Sequence, residues 1–568
     1  MAKQNKTDLQ NVPAAAAGFI NRVISKMRYR RRVCRDVRAE LAAHFEDELR
    51  GCKTDEERQQ KALEVIAGFG DVKILAALLR RAKKRCRPFW RTAVVRTLQT
   101  VGALVLAFLL YSIWFFTGKP TIRVDYVELL NQKARPQVSD LDNGWIHFEK
   151  AATLYIKPGG EQKEQIPLYK NTKLPEATDF AGLSQAEQYA IAEHVRINEE
   201  AWSEFVAASL QPYCYREYGF RPHIGEQDKW VFNIILPELN QFRGLALIGQ
   251  WRCRIDIAQG ETTHALDNCL AIARNGRHLQ NRATLVEQLT GLSLSRLAHE
   301  EIIRVLDSQE LTVEQLAGLQ RQLVEIYAGE YPLMNIEYEK LAFHDTVQHF
   351  FTDGGIGGGH LIPGAWDEFS NEPIDRLEGQ DRMLFMPLFG AQSMVHARRD
   401  ETLDVGDRIY DEQIKLAKMT PYQQKHREDV SSPGGILTSL SSRRFFLLHF
   451  IMPAAFGRAS EIAFRGKVSH QATLTILALA RWRAEKGEYP ASLDQLTAAG
   501  LLTDLPMDPW SDKPLIYKRT GDNFILYSVG PNFRDDGGEP GKGHNGRLEK
   551  WLDNGDTVFW PLLEIQSQ

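Results

Sequence analysis

Two sets of residues in this 568-residue chain have the side chains that hydrolytic chemistry uses: His264 with Asp267, and His344, Asp345 and His349. An imidazole beside a carboxylate serves as a general base when the two share a hydrogen bond. In the second set the spacing of His344 argues against that use. Residues three or four apart share a helix face, whereas neighbours diverge, so His344 points away from Asp345, and His349 lies five positions beyond His344. Neither a Gly-x-Ser-x-Gly elbow nor a His-Glu-x-x-His zinc pair occurs in the chain. Structural histidines are the expectation, and no catalytic residues are assigned. The run from Asp353 to His360 has the glycine density of a phosphate loop but not the closing Lys-Ser/Thr, and a surface loop is expected there. His44 stands four residues from both Glu40 and Glu48, the spacing of one helix face, and further metal ligands are not evident, so a packing or solvated face is expected.

These residues sit on a chain divided by one apolar stretch. Leu98 to Thr117 contains no Asp, Glu, Lys or Arg, and 20 helical residues span about 30 Å, the thickness of a bilayer core. Upstream stand Arg80, Arg81, Lys83, Lys84, Arg85, Arg87, Arg91 and Arg96, while the first residues downstream offer Lys119 and Arg123. That asymmetry predicts a cytoplasmic N-terminus and an exported remainder of roughly 450 residues. A cleaved signal peptide would need a shorter apolar region and would not follow a basic segment this long, so an uncleaved anchor is expected. Met1-Ala2-Lys3 lacks the glycine of a myristoylation signal.

Composition fits a folded protein with one anchor: 43% apolar, 25% charged, net charge −3. Residues 1 to 91 carry 22 basic against 11 acidic residues, and the rest carries 48 against 62. Such a basic segment beside a bilayer is expected to contact anionic lipid; with no base-reading motif, no nucleic-acid partner is expected. Cys34, Cys52 and Cys86 fall on the reducing side as ordinary thiols, and Cys214, Cys253 and Cys269 on the exported side. Cys253 and Cys269 flank Gly260 almost symmetrically, and in an antiparallel helical hairpin such positions face each other. The alternatives are a disulfide and two buried thiols, with Cys214 unpaired in either case.

The basic segment reads as four short helices. The first begins near Ala14 and buries Phe19, Ile20, Val23, Ile24 and Met27; the second repeats Val33, Val37, Leu41, Phe45 and Leu49 every four residues. Thr54 and Glu57 form the pattern of a capping box for the third, and Asp71 starts the fourth after the Gly68-Phe69-Gly70 break. Val37, Glu40, Leu41, His44, Phe45 and Glu48, followed by Ala62, Ile66, Gly68, Phe69, Gly70 and Asp71, resemble the small helical prefix domain of bacterial permease-like and regulatory membrane proteins, the HAAS or permease-prefix type. The resemblance implies a cytoplasmic interaction or signalling module without catalysis.

Beyond the anchor, helices are predicted within 120–136 and at Asn143–Tyr155, Gln185–Leu210, Leu236–Ala258, Thr262–Gln280, Thr284–Leu306, Val313–Ala328, Met334–Phe351, Gln392–Arg399 and Val405–Ala417. Long amphipathic helices with short loops predict an antiparallel helical array, repeat-like but without a fixed period. Such arrays offer a surface for a partner, here an envelope protein of unknown identity.

A long helix is predicted from Ser469 to Lys486, ended by Gly487. After it come Gly487-Glu488-Tyr489-Pro490, a Leu-rich segment from Leu493 to Leu502, Asp508-Pro509-Trp510, Pro514 to Tyr517 and Phe524 to Pro531. Ile516, Tyr517 and Lys518 are predicted to pair with Phe524 to Ser528 across the turn at 520–523. In that order these motifs resemble the C-terminal region of type II secretion major pseudopilins. The resemblance implies a shared α+β end and a calcium-binding acidic loop. Asn532, Asp535, Asp536, Asp553 and Asp556 are the oxygen donors it points to, and glycines 537, 538 and 555 allow tight turns. An acidic, solvated loop without an ion is the alternative, since residues 541–550 lengthen it beyond the family pattern. The long basic segment before the anchor departs from pseudopilins and argues against filament assembly. The whole order of parts is similar to large membrane proteins of planctomycete-type bacteria.

The expected protein is therefore mainly α: a cytoplasmic basic helical prefix at 1–91, a transmembrane anchor at 92–118, an extracytoplasmic antiparallel helical array at 119–465, and a small α+β pseudopilin-like end at 466–568. Its expected place is the bacterial inner membrane, with the C-terminal part outside the cytoplasm. Its expected role is a single-pass anchored binding or scaffold protein and not an enzyme. A secretion-associated pseudopilin-like factor and an exported hydrolase are the alternatives.

Overall fold

The computed structural model describes residues 9–85, 89–136, 142–160, 165–166, 179–222, 225, 229–328, 331–353, 358–363, 393–427, 436, 440–441, 444–451, 455–544 and 546–562. Cys86, Arg87, most of the glycine run (354–357) and Gln392 lie outside them. The chain forms two compact units, Met1–Trp114 and Phe115–Gln568.

In the first unit α1 (Ala14–Met27), α2 (Arg31–Glu48), α3 (Asp55–Phe69) and α4 (Val72–Arg85) close around one core. The rings of Phe19, Phe45 and Phe69 meet at 5.6–6.2 Å, and Ala16, Ile20, Val23, Leu41 and Ala62 fill the space around them. Both bonds of the predicted capping box are made: Glu57 N–H donates to Thr54 Oγ1, and Thr54 N–H to the Glu57 carboxylate, each at 3.3 Å. Gly70, at φ +68°, ends α3, and Asp71 accepts from Lys73 N–H to start α4. After them comes α5 (Phe89–Phe116), within which Ala93–Phe116 is the one described helix long and apolar enough to cross a membrane. Leu98, Leu104, Phe108 and Ile113 are each about 60% or more exposed, on a helix that is apolar all round. Water is a poor solvent for such a surface and hydrocarbon a good one, while the helix satisfies its own backbone.

The second unit is helical except near its end. It begins with α6 (Tyr126–Ala134) and α7 (Trp145–Leu154). The single helix expected from Gln185 to Leu210 is two, α8 (Gln185–Ile197) and α9 (Glu199–Ser209). Asn198 breaks it, because its fully buried amide exchanges hydrogen bonds with both the N–H and the carbonyl of Ile156, at 2.8 and 3.0 Å. Next come α10 (Leu239–Gln259), α11 (Thr262–Gln280), α12 (Leu285–Ser308), α13 (Val313–Ile326) and α14 (Glu337–Phe350). Among them α11 packs against α10, α13 and above all α12, and α10 also packs against α12. At Gly276 and Gly291 two of these backbones nearly touch: a Cβ on Gly276 would stand 2.9 Å from the Gly291 carbonyl and 2.6 Å from Ser295 Oγ.

A helix expected at Gln392–Arg399 is absent at 395–398, where the chain turns; the helix starts only at Arg399 as α15 (Arg399–Lys418). Then follow α16 (Pro421–Lys425), α17 (Phe446–Ile451) and α18 (Ala455–Lys486), which is 32 residues long and starts well before the predicted Ser469. It lies along α12 and α13. Residue 466 falls inside it. Phe464, Val468, Ala472 and Ile476 share one core with Ile303 of α12 and with Trp510, Phe524 and Trp560 beyond.

After α19 (Asp494–Ala498), β1 (Met507–Asp508) pairs with β2 (Lys513–Pro514), and β3 (Ile516–Thr520), β4 (Asn523–Ser528) and β5 (Thr557–Trp560) form an antiparallel sheet in that order. The predicted hairpin forms, with Ile516 facing Tyr527 and Lys518 facing Ile525 around Gly521-Asp522. The third strand, β5, was not anticipated.

Candidate functional site

The acidic loop lies between β4 and β5, and most of its donors are spent on the loop itself. Asp556 is fully buried, its two carboxylate oxygens accepting from Asp536 N–H at 3.2 Å and Gly538 N–H at 2.7 Å. Burial pushes this carboxyl above its ordinary value, and the two amides partly offset the shift. Asn532 donates through its amide to Asp536 at 2.6 Å. Asp535 accepts from Gly537 N–H and from the Tyr527 hydroxyl, both at 2.9 Å, and these bonds hold it below its usual range despite some desolvation. Asp553 is exposed. The loop thus gathers Asn532, Asp535, Asp536 and Asp556, but among the described residues no group of three or more His, Cys, Asp or Glu is arranged to hold a metal ion. Asp556 and Asn532 are hydrogen-bonding posts of the loop, and the exposed carboxylates of Asp535, Asp536 and Asp553 are the ones left facing solvent.

Asp508, of the Asp-Pro-Trp motif, is the second post. Buried, it accepts from Trp510 N–H, Ser528 Oγ, Val529 N–H and Ser511 Oγ at 2.8–3.3 Å, tying β1 to the end of β4.

The two histidine sets lie on α11 and α14. His264 and Asp267 are both exposed on α11, and the nearest carboxylate to His264 is Glu261 at 3.9 Å. His344 diverges from Asp345 as expected and instead meets Asp407 at 2.6 Å, beside the Lys340–Asp407–Asp411 cluster. Asp345 accepts from Val231 N–H at 2.7 Å and Gln348 at 2.8 Å. His349 stacks on Trp230 and bonds the Asp345 carbonyl at 2.9 Å. His44 is exposed and edge-on to Phe69, while Glu40 is taken by Lys83.

Cys253 on α10 and Cys269 on α11 do face each other across the hairpin turned by Gly260. Their sulfurs stand 3.2 Å apart and neither residue has any exposed surface. The partner thiol and burial hold Cys253 well above its ordinary value. Cys253 and Cys269 are both free thiols in the structure, as are Cys34, Cys52 and Cys214.

Sequence patterns did not reveal the polar centres inside the array. Glu301, 1% exposed, accepts from Gln250 and Arg254, each at 2.7 Å, and pairs with Arg304 at 3.3 Å. Burial opposes its charge, but Arg254 and Arg304 outweigh it and set the carboxyl below its ordinary value. Arg282 pairs with Glu287 at 2.9 Å, and Glu287 also caps α12 and accepts from the Tyr218 hydroxyl at 2.7 Å. Between α12 and α18, His299 and His470 share a hydrogen bond of 3.1 Å, against Tyr327, whose hydroxyl reaches Ser295 at 2.8 Å. Burial lowers His299 to about 4 and His470 well below its ordinary value, so both imidazoles are neutral at pH 7. The nearby crevice beside Gln280, Gln288 and Met334 is too narrow for a ligand. These groups hold helices in register.

No family model, curated protein or solved structure matches this chain.

Proposed function

We propose that the chain is a single-pass, membrane-anchored binding or scaffold protein of the bacterial envelope, with Met1–Trp114 carrying a cytoplasmic interaction or signalling module and Phe115–Gln568 carrying the partner-binding surface outside the cytoplasm. The observation that carries this reading is the exposed apolar helix Ala93–Phe116, the one described helix long and apolar enough to cross a membrane. The basic flank of that helix supports the orientation. The internal use of the His, Asp and Glu groups described above supports a binding role over a hydrolytic one. Protease added to spheroplasts should digest Phe115–Gln568 and spare the prefix, and protection of the larger unit would overturn the orientation.

A secretion-associated role is the second reading, favoured by the ordered motifs of the C-terminal helix, Asp508-Pro509-Trp510 and the β3–β4 hairpin. The resemblance behind it implies calcium at the loop of Asn532, Asp535, Asp536, Asp553 and Asp556, although among the described residues no three of its acidic groups are arranged to hold an ion. A calcium-dependent rise in melting temperature that disappears in Asp535→Ala with Asp536→Ala would support that ion, and an unchanged parent melt would remove it. Capture of the full-length protein from solubilised envelopes, with and without calcium, tests whether secretion components accompany it.

A further inference from the structure

We propose that Cys253 and Cys269 are joined by a disulfide bond in the mature protein, fastening α10 to α11. The inference rests on the reading that Phe115–Gln568 lies outside the cytoplasm, where disulfides form and persist. The two sulfurs are 3.2 Å apart in a common core, and a bond would draw them to about 2.05 Å. Gly260, at φ +80°, makes the tight turn that brings the two positions level, and Leu266, Leu270, Ile302 and Leu316 enclose them. Cys214, the other cysteine of this unit, lies in a different core and remains a thiol.

The oxidant is a dithiol–disulfide oxidoreductase in its disulfide form. One cysteine thiolate attacks a sulfur of that disulfide, giving a mixed disulfide and releasing the oxidant's other sulfur as a thiolate. The second cysteine then attacks its partner's sulfur in the mixed disulfide and expels the oxidant's remaining sulfur. Two electrons pass to the oxidant, which leaves as the dithiol with the two protons. Because both cysteines have no exposed surface in the folded unit, this exchange belongs to the period before the hairpin is covered by α12 and α13. Afterwards the same burial keeps reductants away.

The test is peptide mapping of full-length protein, acid-quenched from membranes, denatured and alkylated without reductant. The expected result is one cross-linked peptide pair containing Cys253 and Cys269, with the other four cysteines, Cys34, Cys52, Cys86 and Cys214, alkylated. Cys253→Ala with Cys269→Ala should lower the melting temperature of the oxidised protein by about 3 °C and should abolish its sensitivity to reductant after unfolding. Full alkylation of Cys253 and Cys269, together with spheroplast proteolysis that digests the larger unit, would overturn the disulfide alone. Full alkylation in a unit that is protected from protease would show instead that the compartment was misread, and the disulfide would fall with it.

Discussion

Replacing Glu301 with Gln is the sharpest probe of how the array is held. The substitution keeps shape and one acceptor oxygen but removes the charge that faces Arg254 at 2.7 Å and Arg304 at 3.3 Å, both at least nine-tenths buried. Leaving buried guanidinium groups without their counter-charge costs about 3–5 kcal/mol. The larger unit has roughly 450 residues, and at about 2 cal/mol/K per residue its unfolding entropy is near 1 kcal/mol/K, so the melting temperature should fall by about 3–5 °C. Differential scanning calorimetry of the full-length protein in detergent reads this directly. Glu193→Gln, which breaks an exposed pair with Arg196, serves as the control and should leave the melt unchanged. Combining Glu301→Gln with Arg254→Gln should cost less than the sum of the two single changes, because the second removes a charge that the first stranded. A Glu301→Gln melt matching the parent, or additive single and double variants, would refute the claim that this ion pair is a structural post.

Asp508→Ala should strand the Val529 and Trp510 amides and the Ser528 hydroxyl in a buried site, at a cost of about 3 kcal/mol, and hydrogen exchange should accelerate first in Phe524–Ser528. Gly276→Ala places a methyl group 2.6 Å from Ser295 Oγ and 2.9 Å from a backbone carbonyl, so overpacking of about 1–3 kcal/mol should lower the melt without abolishing folding. Acid should weaken the array through its buried histidines. His299 and His278 sit at about 4 when folded against 6.5 in the unfolded chain, so the unfolded state binds more protons between those values and stability falls as pH drops from 6.5 towards 4. A His299→Gln variant should show a shallower decline over that window, and an unchanged slope would refute its neutral, buried assignment.

Helices were legible where apolar spacing and caps agreed, as at Thr54 with Glu57 and at the hairpin centred on Gly260. The facing of Cys253 and Cys269 followed from counting outward from that turn. Asn198 was not legible as a break, because its reason lies in Ile156, far away in sequence. The strand Thr557–Trp560 carries four buried residues and so lacks the alternation that marks a half-exposed strand. Glu301 and Arg254 looked like ordinary helical charges; only tertiary packing turns them inward. In the acidic loop the donors were identifiable by type, but which of them bond to amides depends on backbone direction that composition does not encode.

The 32-residue helix ending at Lys486 has a consequence for anyone wishing to divide this protein. One of its faces, with Leu474, Leu477 and Ala480, is a wall of the helical bundle, and another, with Phe464, Val468, Ala472 and Ile476, joins the core beneath the terminal sheet. A cut at either side of the sequence motifs therefore leaves one half of the molecule missing a surface it was built upon, and the terminal module cannot be transplanted as a free-standing cassette unless the full rod travels with it and its bared flank is given polar residues.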